Sequence, residues 1–432
     1  MDNGSSQRRL GLVTAILVVV ASMVGTGVFT TTGFLVRDVH SLPAVLAAWL
    51  VGGLFALCGA LSYAELVAAL PRNGGEYQLL GRVFHPAVGF VAGWISLVVG
   101  FSAPIAASAL ACGSYAQAVV PRLHATVVAL VLVTALSLLH AAHVTVGSGV
   151  QNAFALAKVA LIVAFVLGGV TLVFPGHLSG DGARPALEAM LSPAFAVGLV
   201  FISFAYSGWN GAAYLAGEVR DPARTLPLAL VGGTALVTLL YLGLNAVFLA
   251  ATPAADLAGV VEVGHVAALR IFGADTGVLF SAGIALLLVS SVSAMIMAGP
   301  RVYQAMGEDH PRLGFLARRT SHGGPAAAVA LQGVVAVVMV LTATFETLLA
   351  YIGFTLALSA GLTVVGVMVL RRREPELDRP CRTWGYPVTP LGFVALCLWM
   401  SAHALWQRPV AALAGLATIA SGWVLYALIR KR

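Results

Sequence analysis

Gly25 and Gly27 flank Thr26 near the middle of an apolar run that extends over about residues 10–36. A glycine costs a helix roughly 1 kcal/mol relative to alanine, so this run carries an interruption. A second one falls within the run 193–217, at "FAYSGWNGAAY", where Ser207, Gly208, Asn210 and Gly211 are polar or flexible residues at mid-run depth. In hydrocarbon, a broken helix exposes N–H and C=O groups at several kcal/mol each, so the break has to face protein, water or a ligand. Glycine permits the unwound backbone and lets a ligand approach it. The N-terminus of the half-helix beyond a break carries free N–H donors and partial positive charge, which suits a carboxylate. Carbonyls freed at the other break accept from an ammonium group. Two such breaks facing each other fit an α-amino acid held by backbone. Close helix packing is the competing role for such glycines, and the matched positions of the two breaks weigh against it. A third residue joins them. Lys158 is the sole lysine within an apolar run, about nine residues in and therefore roughly 14 Å deep at about 1.5 Å per residue. An ionisable group at that depth is functional by default.

These residues need membrane helices to position them, and the composition supplies them. Of 432 residues, 59% are hydrophobic and 9% charged, where a soluble domain carries about 25% charged residues. The chain is read as an all-α integral membrane protein; its runs are too long and too apolar for the alternating strands of a membrane β-barrel. Twelve apolar runs lie at about 10–36, 43–70, 84–113, 124–143, 149–174, 193–217, 227–251, 274–300, 325–343, 346–370, 388–406 and 409–429. Arg8 and Arg9 before the first run resemble a signal peptide, but the run is long and no small-residue cleavage site follows it, so it is read as a retained helix. If successive loops alternate sides, one side carries 18 Lys and Arg residues and the other 5. The positive-inside rule then puts both termini, including the tail 1–9, in the cytoplasm. The net charge of +7 is thus a topology signal with some affinity for anionic lipid, not a nucleic-acid footprint. Cys58, Cys112, Cys381 and Cys397 include no pair in an outer loop and no metal spacing, so neither a disulfide nor a metal site is expected.

The breaks begin two blocks of five runs, 10–174 and 193–370, with 388–429 outside them. Because five is odd, the second block enters the membrane from the opposite side, the pattern of an inverted 5+5 repeat with helices 1 and 6 broken.

The motifs "GTGVF" (25–29), "YAELVAALPRNGGEYQLL" (63–80), "FAYSGWNGAAYLAGEVRDPARTLPLAL" (204–230) and, more loosely, "RVYQAMGEDHPRLGFL" (301–316) resemble the amino acid–polyamine–organocation superfamily, nearest its L-type amino acid transporter and bacterial permease branch. Thr26 stands where the family usually has serine. The resemblance covers about residues 10–370 and thins beyond. It implies a leucine-transporter-like fold, alternating access and a central substrate site. By position, the substrate carboxylate meets the Thr26 hydroxyl and the Thr26 and Gly27 amides, within the glycine pair Gly25 and Gly27. The amino group meets carbonyls of Met23, Phe204 and Ser207, beside Gly208. Phe204 is the aromatic lid, and Trp209 and Asn210 support the second break. Lys158 is implied to replace the sodium ion of related transporters, between helices 1 and 8 near Gly25 and near Ser290 or Ser291.

The expected activity is secondary transport of small or medium neutral L-amino acids, independent of sodium, by proton symport or exchange, in the cytoplasmic membrane. The partners are an amino acid, membrane lipid and possible coupling protons, with no cofactor; the oligomeric state is left open. A cationic amino acid or polyamine transporter is the alternative. It is disfavoured because helices 1, 3, 6 and 8 carry no carboxylate at pocket depth. No nucleophile–base or metal constellation speaks for an enzyme, and the five-run blocks do not resemble a channel's single pore segment. Among other polar residues, Glu65 is expected to bond between helices or to a loop amide, and Glu218, Arg220, Asp221 and Arg224 to form cytoplasmic salt bridges. His140 and His143 sit one helical turn apart without a third ligand. Ser108, Cys112, Tyr351, Thr355 and Ser359 are candidate pocket lining. "LGFLARR" (313–319) is read as a short amphipathic surface helix.

Overall fold

The computed structural model describes residues 10–71, 74–142, 148–173, 185–318 and 325–430. The tail 1–9, Arg72 and His143 lie outside the described residues. Among the described residues the chain is helical, and the single β-bridge joins Leu10 to Val219.

The first run becomes α1 (Leu12–Met23) and α2 (Gly27–Val39), separated by Val24, Gly25 and Thr26. The second is α3 (Leu42–Ala69), and a short α4 (Glu76–Val83) follows. The third is α5 (Pro86–Ile95), a π-helical stretch Ser96–Ser102 and α6 (Ala103–Val119). Next come α7 (Ala125–Ala142) and α8 (Ser148–Val173). A single turn, α9 (Ala186–Met190), precedes α10 (Pro193–Ala205). The Ser192 hydroxyl caps α10 by accepting from Phe195 N–H at 3.2 Å, and Pro193 opens the helix without needing a donor partner. Residues 206–210 then turn, and Gly211–Glu218 continues as a 3-10 helix.

The remainder comprises α11 (Pro222–Ala251), α12 (Ala254–Leu257), α13 (Val263–Ala298, kinked at Gly273), α14 (Pro300–Asp309) and α15 (Gly314–Ala317). It ends with α16 (Ala326–Thr342), α17 (Phe345–Arg373), α18 (Val388–Gln407) and α19 (Pro409–Arg430). The 301–324 loop thus holds α14, a helix the sequence did not single out, and within the described part of "LGFLARR" the short α15, Gly314–Ala317. Pro311 interrupts the chain between them.

Among the described residues, ten helices are long and apolar enough to cross a membrane, and Pro193–Ala205 and Ala326–Thr342 are shorter apolar helices. The packing has a regular pattern. α3 lies against α11, α6 against α13, and α7 against α16. α8 touches α1, α11 and α13, while α17 touches α10, α3 and α6. The broken helices cross at the centre, wrapped by these pairs, and the buried core is continuous around them.

Candidate functional site

Both breaks open on one cavity of about 880 Å³. The two backbones meet closely there. A Cβ on Gly27 would stand 2.3 Å from Ala205 Cα, and one on Gly208 would stand 2.5 Å from the Ser22 carbonyl oxygen. Gly208 also has φ +97°, a conformation open to glycine at little cost. Tyr241 of α11 spans the breaks: its hydroxyl donates to the Met23 carbonyl at 2.6 Å and lies 3.2 Å from that of Ala205. One side chain thus helps to satisfy the backbone of both.

Met23, Gly25, Thr26, Gly27, Phe204, Ser207, Gly208, Trp209 and Asn210 all line this cavity, as do Lys158, Ser290 and Ser291. The first turn of α2 has no side-chain cap, and within it Phe29 N–H bonds to the Thr26 carbonyl at 3.1 Å. The Thr26 hydroxyl is paired with Ser108 Oγ of α6 at 2.5 Å. Lys158 is 4% exposed and its ammonium donates to Ser291 Oγ at 2.8 Å. Ser290 donates to its own helix, to the Leu287 carbonyl at 2.8 Å. Trp209 packs edge-on to Tyr63, centroids 4.6 Å apart. The π-helical stretch contributes Ser96, Gly100 and Phe101 to the wall, in keeping with the association of π-bulges with functional sites.

The remaining candidates divide. Ser108 and Ser359 line the cavity. Tyr351 bonds to Thr418, Thr355 to the Tyr351 carbonyl, and Cys112 to the Ala285 carbonyl; none of these three is at the cavity wall. Glu65 lies between helices. It accepts from Arg371 Nε at 2.8 Å and from Thr383 N–H and hydroxyl at 2.7 Å each. His140 pairs with Ser293 Oγ at 2.8 Å, and no group of three potential metal ligands occurs among the described residues. Arg220 N–H bonds to the Leu10 carbonyl, and Leu10 N–H to that of Glu218, so the chain beyond the second break is tied to the start of α1. Glu76, Glu218 and Glu308 line the cavity. They lie outside the apolar runs, so the expectation of no carboxylate at pocket depth in helices 1, 3, 6 and 8 did not address them. Glu76 and Tyr241 are the principal residues the sequence did not single out.

The two ends of the cavity differ. Toward Glu218, Arg301 and Glu308 it is open, with Arg301 and Glu308 exposed. At the other end, α2, α10 and α17 close together through Phe34, which stacks on Phe345 and meets Phe201 edge-on, both at 6.1 Å. Above these rings Arg37 and Arg408 share Asp38 and Glu346.

A cavity walled by two broken apolar helices and a buried lysine has the features of a membrane permease. The amino acid permease family model matches residues 10–428, and the chain belongs to that family. It is 29% identical to mouse b(0,+)-type amino acid transporter 1 over 401 residues, covering 88% of this chain and 79% of that protein. It is 28% identical to human large neutral amino acids transporter small subunit 2 over 433 residues, covering 98% of this chain and 80% of that protein. The superfamily recognised from the motifs is thus the one to which the chain belongs.

Proposed function

We propose that the protein is a sodium-independent amino acid transporter of the cell membrane, working by alternating access on small or medium neutral L-amino acids through proton symport or exchange. The observation that carries this is the meeting of both breaks at one cavity, with uncapped amides on one side and Lys158 in the wall. The α2 amides and the Thr26 hydroxyl take the substrate carboxylate. The carbonyls at Met23, Phe204 and Ser207 take the ammonium group, Phe204 covers the substrate, and Trp209 and Asn210 brace the second break. Lys158 braces α1, α8 and α13 in the place of a cation.

The same reading takes the helices as twelve spans with both termini cytoplasmic. Residues 10–174 and 193–370 form inverted five-helix repeats, with 388–429 outside them. The packing supports this. Exchanging segments 1 with 6, 2 with 7, 3 with 8, 4 with 9 and 5 with 10 maps the contacts of α8 with α1, α11 and α13 onto those of α17 with α10, α3 and α6. It also maps the α3–α11, α6–α13 and α7–α16 pairs onto themselves. The open end of the cavity then faces the cytoplasm. The carboxylates of Glu76, Glu218 and Glu308 favour a second reading, a transporter of cationic amino acids or polyamines. Counterflow into proteoliposomes with neutral and cationic amino acids, with and without a pH gradient, separates the two and separates symport from exchange. Absence of counterflow for every amino acid and for polyamines would overturn both.

A further inference from the structure

Glu76 lines the cavity, is 7% exposed and opens α4 directly after Gly74 and Gly75. Both glycines have positive φ, and a Cβ on Gly75 would stand 2.4 Å from the Tyr214 ring. The glycine pair therefore brings Glu76 against the chain beyond the second break. Three neutral donors converge on its carboxylate. Oε1 accepts from the Tyr63 hydroxyl at 3.0 Å and from Asn210 Nδ2 at 2.5 Å, and Oε2 accepts from the Tyr214 hydroxyl at 2.5 Å. Among the described residues the ion pairs involve other carboxylates.

The consequence falls on Asn210. Which way an amide points is fixed by its hydrogen-bond partners. An ionised carboxylate only accepts, so it draws the NH2 end of the amide toward itself and turns the carbonyl oxygen away. Asn210 is partly exposed and lines the cavity between Gly208 and Gly211. We infer that Glu76 is a positioning residue for substrate selectivity: by holding the Asn210 NH2 it presents Asn210 Oδ1 to the cavity as an acceptor for a hydrogen-bond donor on the substrate side chain. The inference rests on the proposal that the cavity takes an amino acid. The breaks address the carboxylate and ammonium that every α-amino acid shares, and Asn210 addresses what differs between them. A hydroxyl, an amide NH2 or an ammonium group satisfies the same oxygen.

Calorimetric titration with three side chains of similar size tests this. L-norvaline has no donor, L-homoserine a neutral one and L-2,4-diaminobutyrate a cationic one. Wild type is expected to bind at least one donor-bearing ligand about fivefold more tightly than norvaline, the weight of one hydrogen bond. Preference for both identifies a neutral hydrogen-bonding subsite, and preference for diaminobutyrate alone a cation subsite; either supports the acceptor. Glu76→Gln frees the amide to turn and should bring the ratio close to one while norvaline still binds. Glu76→Asp keeps acceptor-only chemistry and should retain the ratio. If Glu76→Gln does not fold, Asn210→Leu must erase a ratio that Glu76→Asp retains. A wild-type ratio of one, or an unchanged ratio in a folded Glu76→Gln or Asn210→Leu variant, overturns the inference while leaving the amino acid proposal standing. Wild type that binds none of the three overturns both.

Discussion

At the first break, α2 restarts as an α-helix at Gly27, with three residues between it and the end of α1 at Met23. At the second, α10 stops at Ala205, and the chain turns through 206–210 before running on as a 3-10 helix from Gly211. The same glycine-rich interruption thus gives unlike products. The first presents the start of a three-turn helix without a side-chain cap, whose aligned dipoles favour an anion. The second has the longer turn and a 3-10 continuation, whose hydrogen bonds are less well aligned. It offers carbonyls and side chains rather than a strong helix terminus. The asymmetry matches the two ends of an amino acid. It also shows that a glycine at a break has more than one reason to be there. Gly25 has open space where a Cβ would go, its nearest neighbour being the Met23 oxygen at 3.9 Å, whereas Gly27 and Gly208 are where one break's backbone presses on the other's.

The largest effect should come from breaking that contact. Gly27→Val places branched carbon against Ala205 Cα, backbone that cannot swing aside. Overpacking of this kind costs about 1–3 kcal/mol, occasionally more. The variant is expected to lose its monodisperse peak in detergent or to melt markedly earlier. The sequence alone assigned Gly27 to binding rather than folding; the approach of Ala205 makes packing a sufficient reason for the glycine. Gly25→Ala is the cleaner probe of substrate access. It should fold normally and bind amino acids weakly. A well-folded Gly27→Val protein, or a Gly25→Ala protein with unchanged affinity, would break the distinction between the two glycines.

Next in size is Lys158, which lines the cavity on which both breaks open. α8 packs against α1 and α13, and the lysine reaches Ser291 on α13. On the proposed function, a cation fixed there braces α1 and α13 without a bound ion. Lys158→Met keeps the length and removes the charge. Active uptake into proteoliposomes should be lost, with substrate binding weakened rather than necessarily absent. Wild-type uptake should be equal with sodium or choline outside. Uptake that requires sodium, or a methionine variant with normal rate and pH dependence, would rule out Lys158 as the stand-in for a bound cation.

The parts of this architecture legible in the sequence are those that a local pattern encodes. Each of the twelve apolar runs contains a helix, because length and hydrophobicity decide that without reference to neighbours. The breaks were visible because glycine, serine and asparagine stand out inside such runs. What stayed hidden depends on residues brought together from afar. Tyr241 is an ordinary aromatic on α11 until the fold sets it under Met23, 218 positions away. Glu76 sits in a loop motif and meets Asn210 across 134 positions. Ser108 could be read as possible lining, but nothing in its surroundings names Thr26 as its partner.

That last pairing supplies the smallest effect and the finest test of the first break. Thr26 was assigned to the substrate carboxylate through its hydroxyl and amide, and the structure already gives the hydroxyl a neighbour in Ser108 Oγ. A hydroxyl is both donor and acceptor. If Ser108 donates to Thr26, the Thr26 proton is free to point at a carboxylate, and Ser108 acts by orienting it. Thr26→Ala should then weaken binding by about 1 kcal/mol, one hydrogen bond's net contribution. Ser108→Ala should weaken it by less, because the Thr26 hydroxyl survives but loses its orientation. The double variant should cost little more than Thr26→Ala alone, since both losses act through one contact. If Thr26 instead donates to Ser108, the substrate meets the amides of α2 only, and Thr26→Ala should leave affinity nearly unchanged while lowering thermal stability in the absence of ligand. Affinity and melting temperature measured on the three variants separate the two arrangements. They also decide whether the first break recognises its anion by backbone alone, as its uncapped helix start allows, or with a side chain in support.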